Sequence, residues 1–377
     1  MIHTLQEALD WITTIHINPH YNLTNIQKLC EIFWHPEKWL RCIHITGTNG
    51  KGSVAKMTYQ ILRDAGYKTG LFIGPHLIDV RERFIVNDIW IDDTSLIEIV
   101  QKLEKLDFIP TRFEKYVITM LLYFQKMQVD YAVVEVGMWA RRDATIVVEP
   151  ILSLVTSIGL DHKKQFGDSL EWVALEKSAI IRENIPVVVY GKNEILQKVA
   201  LEKHAPYIIP DQERETNLLW DYQRKNAALA YEVGKLLRIP EENIEKSLMH
   251  VSHTGRMQYL LPNLLLDGAH NEDGLKNFES YISGIKNNFD EVHYCFTLKK
   301  GKHTNLVTDV LGKKLYTLVD IETPQLGNPQ EFFRELEKWF YAVNLASITD
   351  IMRQAKKTPQ SLFVVFGSLY MIGEFLK

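Results

Sequence analysis

A glycine-rich loop is the segment of this sequence best suited to chemistry. Residues 43–53 read Ile-His-Ile-Thr-Gly-Thr-Asn-Gly-Lys-Gly-Ser and join an apolar run to a segment with helical spacing. A strand–loop–helix unit of this kind presents backbone N–H groups and a helix N-terminus to an anion. The glycines let the backbone approach a phosphate, Lys51 adds a positive charge, and Ser53 offers an oxygen to Mg²⁺. We therefore predict that the loop binds ATP or a similar nucleotide.

The spacing of this loop differs from that of the usual P-loop. The usual motif has a glycine five residues before Gly50, where this chain has Ile45. A turn that binds nothing is the alternative, and the ordered combination of strand, loop, lysine, hydroxyl and helix argues against it. The residues expected to contact the nucleotide here are Gly47, Thr48, Asn49, Gly50, Lys51, Gly52 and Ser53.

Composition limits the class of protein. The 377 residues exceed the usual size of one hydrophobic core, so we expect two domains. The net charge of −4 gives no electrostatic reason to expect a nucleic acid or an anionic membrane as partner. Cys30, Cys42 and Cys295 are widely spaced, which is typical of buried thiols in a reducing compartment. We expect a soluble, cytoplasmic protein, with a monomer as the default.

The N-terminal sequence and the hydropathy pattern agree with that expectation. The first residues lack the basic region and the long apolar segment of a signal peptide. The longest apolar run, Val117–Phe124, is too short to span a bilayer.

Alternating strand and helix patterns predict an α/β fold with parallel sheets. The predicted strands Cys42–Thr46, Tyr131–Val136 and Ile151–Ile158 are continuous apolar runs, as expected for strands covered on both faces. The stretch Gly74–Asp93 is predicted to be irregular. The pattern breaks at 250–256, so we predict a mostly parallel, P-loop-type ATPase domain over 1–254. A smaller Rossmann-like α/β domain is predicted over 255–377.

Polar residues follow the predicted strands where ligands bind in open parallel sheets. Glu135 ends the second strand and His162 follows the third, so both are candidate Mg²⁺ ligands beside the phosphate loop. Lys177 falls on the apolar stripe of the next predicted helix, together with Leu170 and Val173. Such a lysine either extends its amine to solvent or, when desolvated, becomes nucleophilic enough to take up CO₂ as a carbamate.

The second predicted domain contains a similar polar cluster. The strand near 264–266 leads into Asp267-Gly268-Ala269-His270-Asn271, so this domain should also face a ligand. Arg256 lies at the predicted domain joint, where it would either reach a phosphate or be solvated.

The chain resembles the folylpolyglutamate synthases, a group that includes bifunctional dihydrofolate synthases. They belong to the Mur-ligase superfamily of ATP-dependent amide-bond ligases. The resemblance runs nearly end to end and rests on many ordered motifs. These motifs are Asn18–Tyr21, Gly47–Ser53, Gly74–Leu77 with Glu82-Arg83, Val134–Gly137 with Arg141 and Asp143–Thr145, Thr156–His162, Glu176-Lys177, Gln223 with Asn226, Gly255-Arg256, Asp267–Asn271 and Gly367–Tyr370.

The resemblance implies specific roles for the site residues. Lys51, His162 and Lys177 would be catalytic, and Ser53, Glu135, His162 and a carbamylated Lys177 would hold Mg²⁺. Asn226 would contact the adenine, and Arg256, Asp267 and His270 would close over the ATP. Pro75, His76 and Arg83 would border the folate.

The resemblance also implies the reaction. A folate carboxylate attacks the γ-phosphate of ATP, and the amine of L-glutamate then displaces phosphate from the acyl phosphate. Two anionic substrates must be held together, so the site is expected between two closing domains. Dihydropteroate is a further candidate acceptor that the motifs do not decide.

The sequence departs from the family pattern at three places. Gly74 replaces a serine whose hydroxyl can bind metal, Trp139 and Ala140 replace glycines, and Ile146 replaces an asparagine. Neutral drift in a working enzyme is one interpretation. The alternatives are a Mur-type ligase with another acid and amine, and a non-catalytic paralogue that binds nucleotide or folate.

Overall fold

The computed structural model describes residues 2–16, 22–138, 140–159, 169–312, 314–321, 323, 325–338 and 343–377. The chain forms two compact units, Met1–Ser252 and His253–Lys377. His162 and Trp139 lie outside the described residues, as does the motif Asn18–Tyr21.

The N-terminal unit contains an eight-stranded sheet of order β4-β3-β2-β5-β1-β6-β7-β8. The strands are β1 Cys42–Thr46, β2 Thr69–Phe72, β3 Phe84–Val86, β4 Ile89–Trp90, β5 Tyr131–Glu135, β6 Pro150–Val155, β7 Val187–Val189 and β8 Tyr207–Ile208. All neighbouring pairs are parallel except β2–β3 and β3–β4.

Nine described α-helices belong to this unit. They are α1 Leu5–Thr13, α2 Thr24–Ile32, α3 Lys51–Asp64, α4 Asp93–Glu104, α5 Arg112–Met127, α6 Leu170–Lys177, α7 Glu194–Glu202, α8 Asp221–Leu236 and α9 Glu241–Leu248.

Both faces of this sheet are covered, as the continuous apolar strands predict. Cys42 of β1 packs into a core with α1, α2, α4 and α5. Ile43 and Ile45 of the same strand pack into a second core with α3, α8 and α9. The central strand β1 is therefore fixed from two sides, and its end delivers the glycine-rich loop.

The prediction of an irregular stretch over Gly74–Asp93 was wrong in part. The strands β3 and β4 form a hairpin there, joined by Asn87 and Asp88. Both turn residues have positive φ, 47° and 68°. Asn and Asp tolerate this conformation, which suits a two-residue hairpin turn.

The C-terminal unit contains a six-stranded sheet of order β13-β12-β11-β14-β10-β9, in which only β9 is antiparallel to its neighbour. The strands are β9 Gln258–Leu261, β10 Leu264–Asp267, β11 Glu291–Phe296, β12 Tyr316–Val319, β13 Val343–Ala346 and β14 Ser361–Phe366. The helices are α10 Glu272–Ile285, α11 Asn305–Leu311, α12 Pro329–Glu337, α13 Ile348–Lys357 and α14 Leu369–Phe375. The α/β class with mostly parallel sheets is thus confirmed.

Among the described helices, none has the length and apolar character needed to cross a membrane.

Candidate active site

The glycine-rich loop is held at the carboxyl end of the N-terminal sheet. Gly50 has φ +87°, in the left-handed region that favours glycine, and α3 begins at the next residue. A Cβ at Gly50 would lie 2.5 Å from Asn226 Oδ1. A Cβ at Gly47 would collide with the Thr156 hydroxyl. No larger residue therefore fits at position 47 or 50 unless these neighbouring side chains move.

Residues after β6 fix the backbone of this loop. The Thr48 N–H donates to the Ser157 carbonyl oxygen at 2.8 Å, and the Asn49 N–H donates to the Ser157 hydroxyl at 2.9 Å. The Thr156 hydroxyl donates to the Asn49 carbonyl oxygen at 2.5 Å. No role of their own was predicted for Thr156 and Ser157 from the sequence. Their position directly after a strand of the same sheet was the available signal.

Two lysines donate to the carbonyl oxygens of the loop. Lys51 Nζ lies 2.9 Å from the Gly47 oxygen and 3.1 Å from the Thr48 oxygen. Lys177 Nζ lies 2.9 Å from the Gly47 oxygen. Lys177 is only 5% exposed, so its predicted place on a buried face is confirmed. Leu170, predicted on the same face, is 50% exposed, so that part of the prediction was wrong, and the buried residues of this helix are Val173, Ala174 and Lys177.

The hydroxyl of Ser53 is held by helix α8. Gln223 Nε2 lies 3.2 Å from Ser53 Oγ, and Asn226 Nδ2 donates to Gln223 Oε1 at 2.9 Å. Ser53, Gln223 and Asn226 are all buried. Asn226 thus lies beside Gly50 and acts on Ser53 through Gln223, which is a positioning residue whose role the sequence did not predict.

Glu135 ends the strand next to β1. Its neighbour Val136 donates its N–H to the Ile45 carbonyl oxygen at 2.9 Å, which places Glu135 just below the glycine-rich loop. Its carboxylate is buried and accepts the Gly74 N–H at 3.0 Å.

The oxygens of Glu135 and Ser53 suit a hard cation such as Mg²⁺. Lys177, as an unmodified ammonium, donates to the Gly47 carbonyl oxygen and has no lone pair with which to bind a cation. Within the described residues, no group of three or more His, Cys, Asp or Glu side chains is placed to hold a metal. Glu135 and Ser53 supply two ligands, so further groups would have to complete the coordination of an ion held here.

The loop before β3 carries the predicted folate contacts. Arg83 Nε donates to His76 Nδ1 at 2.9 Å, and the guanidinium lies 4.7 Å from the ring centroid of Tyr116. Burial is the largest cause that lowers the pKa of His76, to about 4, and the nearby Arg83 charge adds to it. His76 is therefore neutral at pH 7 and free to accept at Nδ1. Pro75 follows Gly74 in a cis peptide bond.

A buried polar chain lies under the loop that follows Glu135. His44 Nε2 is 3.0 Å from the Thr145 hydroxyl, which donates to Asp143 Oδ1 at 2.6 Å. Asp143 also accepts the Met138 N–H at 3.1 Å. Burial lowers the pKa of His44 to about 3 and raises the pKa of Asp143 to about 6.

The C-terminal unit brings its own predicted residues together. Asp267 is 1% exposed and accepts the backbone N–H groups of Met257 at 3.0 Å and Ala269 at 2.7 Å. Burial raises the pKa of Asp267 to about 6, against the lowering effect of the Arg256 charge. His270 Nδ1 lies 2.8 Å from the Gly268 carbonyl oxygen. Arg256, Asp267 and His270 therefore form one cluster at the end of β10.

Comparison with known proteins decides the family. The model of the Mur ligase middle domain matches residues 45–266, which is more than half of the chain and includes the predicted nucleotide contacts Gly47–Ser53. The chain belongs to the Mur ligase family.

Named relatives of this Mur ligase extend over its full length. A dihydrofolate synthase/folylpolyglutamate synthase of Bacillus subtilis is 29% identical over 436 aligned positions, covering 100% of this chain and 99% of the relative. A folylpolyglutamate synthase of Lacticaseibacillus casei is 28% identical, covering 92% of this chain and 91% of the relative. The resemblance predicted from the motifs is thereby confirmed.

Solved structures of other Mur ligases agree with the fold. The crystal structure of a Thermotoga maritima folylpolyglutamate synthase has a TM-score of 0.80 at 25% identity, covering 99% of this chain and 96% of that one. A Yersinia pestis bifunctional folylpolyglutamate synthase/dihydrofolate synthase, complexed with AMPPNP and a Mn ion, has a TM-score of 0.87 at 22% identity. It covers 99% of this chain and 97% of that one.

Proposed function

We propose that this Mur ligase is an ATP-dependent folylpolyglutamate synthase. It joins a carboxylate of a folate, either tetrahydrofolate or its polyglutamate, to the amino group of L-glutamate. The observation that supports this proposal most strongly is that three separate segments of the chain come together at the glycine-rich loop. Lys177 donates to the Gly47 carbonyl oxygen, and Gln223 Nε2 lies 3.2 Å from the Ser53 hydroxyl. Glu135 ends β5, the strand beside β1. The names of the full-length relatives identify the substrate class.

The reaction proceeds in two displacements. A carboxylate oxygen of the folate attacks the γ-phosphorus of ATP, the bond to the β,γ-bridging oxygen breaks, and ADP leaves. The amine of L-glutamate then attacks the acyl carbon, the bond from that carbon to the phosphate oxygen breaks, and phosphate leaves. The amine loses a proton, and an amide remains.

The N-terminal unit supplies charge and position for the first displacement. Backbone N–H groups at the start of α3 are suited to binding an anion, and Lys51 places a positive charge at the same loop. Glu135 and Ser53 are the proposed Mg²⁺ ligands, joined by His162 and by Lys177 in its carbamylated form. When bound, Mg²⁺ neutralises charge on the transferring phosphate oxygens.

Carbamylation of Lys177 would reverse the sign of its charge. The resulting carboxylate could no longer donate to the Gly47 carbonyl oxygen, so the 2.9 Å bond would have to break as the carbamate forms. The intact mass of the protein prepared with and without bicarbonate tests this step, because the carbamylated chain is heavier by one CO₂.

Other residues carry proposed binding roles. Asn226, Arg256, Asp267 and His270 contact the nucleotide, and Pro75, His76 and Arg83 contact the folate. We also propose a monomer that acts in the cytoplasm without a nucleic acid partner. The three buried free cysteines suit a reducing compartment.

Phosphate release from ATP tests the proposed function. Purified protein is given Mg²⁺ and L-glutamate with tetrahydrofolate, with dihydropteroate, or with no acceptor. We expect release with tetrahydrofolate that also depends on L-glutamate, and release with both acceptors would indicate a bifunctional enzyme. Folded protein that binds ATP but releases phosphate with neither acceptor would contradict the proposal, leaving another acid and amine or a non-catalytic role.

A further inference from the structure

Trp220 has a backbone conformation that a tryptophan rarely adopts. The residue lies just before α8, and its φ and ψ angles are +98° and 140°. Side chains with a Cβ are strained in this region, whereas glycine enters it without a steric cost. The chain nevertheless has an indole at this position, and a strained backbone that is retained in this way points to a function for the side chain.

The contacts of the indole within the protein do not offset this strain. Trp220 Nε1 is buried and has no hydrogen-bond partner among the residues that the structure describes. A buried donor without an acceptor destabilises the folded state further. The ring lies edge-on to Tyr222, with 4.7 Å between the ring centroids and 62° between the ring planes. Strain and an unpaired donor thus occur at one residue, and contact with a ligand would account for both.

The same stretch of chain holds the glycine-rich loop. The Trp220 carbonyl oxygen accepts the Gln223 N–H at 3.0 Å. Tyr222 Oη lies 3.5 Å from Gln223 Nε2, and this amide nitrogen lies 3.2 Å from Ser53 Oγ. The two aromatic rings are therefore connected to the loop through a single side chain, that of Gln223.

A nucleotide whose phosphates lie on this loop also needs a surface for its base. Adenine is a flat aromatic ring system that stacks on the rings of tryptophan and tyrosine. Asn226, which is already proposed to contact the nucleotide, follows Trp220 within about two turns of α8. A base that reaches Asn226 would therefore come close to the aromatic pair.

We propose that Trp220, together with Tyr222, forms an aromatic platform for the adenine base of ATP. The strained backbone of Trp220 is retained because it holds the indole beside the base. The inference rests on the nucleotide-binding part of the proposed function and is independent of the folate and of L-glutamate.

Binding of two ligands by the full-length protein tests this role. ADP contains the base, whereas inorganic tripolyphosphate contains phosphates alone, and both are titrated calorimetrically in the presence of Mg²⁺. Trp220→Leu removes the aromatic ring and keeps an apolar side chain, and Trp220→Phe keeps a ring. Trp34→Leu is the matched control, because Trp34 also has a positive φ, 60°, but is 85% exposed.

We expect Trp220→Leu to weaken ADP binding about 5- to 100-fold, the range for loss of one contact between a base and an aromatic ring. Its affinity for tripolyphosphate should change less than about twofold, because the glycine-rich loop is unaltered. Trp220→Phe should keep its ADP affinity within about threefold, since phenylalanine still presents a ring to the base. Trp34→Leu should change neither affinity.

Three results would overturn the inference. Unchanged ADP affinity in Trp220→Leu would show that the indole does not contact the base. Equal losses of ADP and tripolyphosphate affinity would show that Trp220 acts on the loop through Gln223. Equal losses of ADP affinity in Trp220→Leu and Trp220→Phe would exclude stacking.

The outcomes also separate this inference from the proposed function. A natural protein that binds ADP but does not turn over ATP with folate and glutamate would contradict the proposed function and leave the platform intact. A natural protein that binds neither ADP nor tripolyphosphate would contradict both. If Trp220→Leu does not fold, Trp220→Gly replaces it with the same expected result, because glycine relieves the backbone strain.

Discussion

The ammonium of Lys177 lies 2.9 Å from the carbonyl oxygen of Gly47, 130 residues earlier in the chain. The same oxygen accepts Lys51 Nζ at 2.9 Å. Two positive charges thus meet at the first residue of the glycine-rich loop. This contact links α6 to the nucleotide site, and no local pattern in the sequence specifies it.

Replacing Lys177 with methionine tests that link. The methionine fills similar volume but can neither donate to the Gly47 carbonyl oxygen nor form the carbamate proposed to hold Mg²⁺, so we expect kcat to fall about 100-fold. Thermal unfolding should shift by the equivalent of about 1–3 kcal/mol, because a buried hydrogen bond is removed. Lys198→Met, at an exposed position of α7, is the matched control. Unchanged kcat in a folded Lys177→Met protein would remove Lys177 from the mechanism.

Gly50→Ala tests the close approach of α8 to the loop. The alanine would be strained at φ +87°, and its Cβ would lie 2.5 Å from Asn226 Oδ1. Gly66 has nearly the same φ, +89°, with no neighbour within 4 Å. Both alanine variants should lose about 1 kcal/mol of stability from the backbone conformation.

Only Gly50→Ala should also weaken ATP binding, because its new methyl group would push Asn226 and the loop apart. The methyl group of Gly66→Ala contacts no such neighbour. Isothermal titration with ADP separates the two effects. Equal nucleotide affinity in the Gly50 and Gly66 variants would show that contact with Asn226 does not shape the site.

Glu135→Gln tests the proposed metal ligand. The amide keeps the size of the side chain and can still accept the Gly74 N–H, but it loses the negative charge that binds Mg²⁺. We expect the concentration of Mg²⁺ for half-maximal activity to rise at least about 10-fold, as for loss of a charged interaction. Chelation should abolish turnover in the natural protein. The exposed variant Glu98→Gln is the control, and an unshifted Mg²⁺ dependence would exclude Glu135 as a ligand.

Burial of His44 makes stability depend on pH. Its pKa falls from an ordinary value of 6.5 to about 3 in the folded protein. Below pH 6.5 the unfolded chain binds a proton that the folded chain excludes, so the free energy of unfolding falls as the pH drops toward 3. Each pKa unit corresponds to about 1.4 kcal/mol.

His44→Gln should keep a donor to Thr145 and lose this acid sensitivity. Urea unfolding of both proteins at neutral pH and near pH 4.5 measures the difference. Asp143 acts in the opposite sense, since its raised pKa of about 6 makes its contribution favourable at low pH and lost as pH rises through 6. Its effect cancels in the comparison because both proteins contain it. Parallel pH profiles for the two proteins would contradict the assignment to His44.

Local patterns in the sequence predicted the core of the fold. Cys42–Thr46 forms β1 with the predicted bounds, because a short continuous apolar run before a glycine-rich loop is typical of a buried strand. The stripe that includes Lys177 predicted its burial. The short strands β3 and β4 were not predicted, since a hairpin of three and two residues has too few side chains to show a period.

Contacts between distant segments could not be predicted in the same way. Gln223 reaches Ser53 across 170 residues, and His44 reaches Thr145 across 101. The close approach of Arg83 to Gly74 depends on how a loop folds back on itself. Such contacts follow from the packing of whole helices and strands, so the spacing of residues along the chain does not predict them.

Transfer of oxygen from the folate carboxylate to phosphate tests the central claim most directly. Tetrahydrofolate labelled with oxygen-18 in its carboxylates is incubated with the protein, ATP, Mg²⁺ and L-glutamate, and both products are analysed by mass spectrometry. We predict that the released phosphate carries one labelled oxygen and that the folate gains one glutamyl residue. Phosphate released without label, or a folate of unchanged mass, would contradict an acyl phosphate route to a folate–glutamate amide.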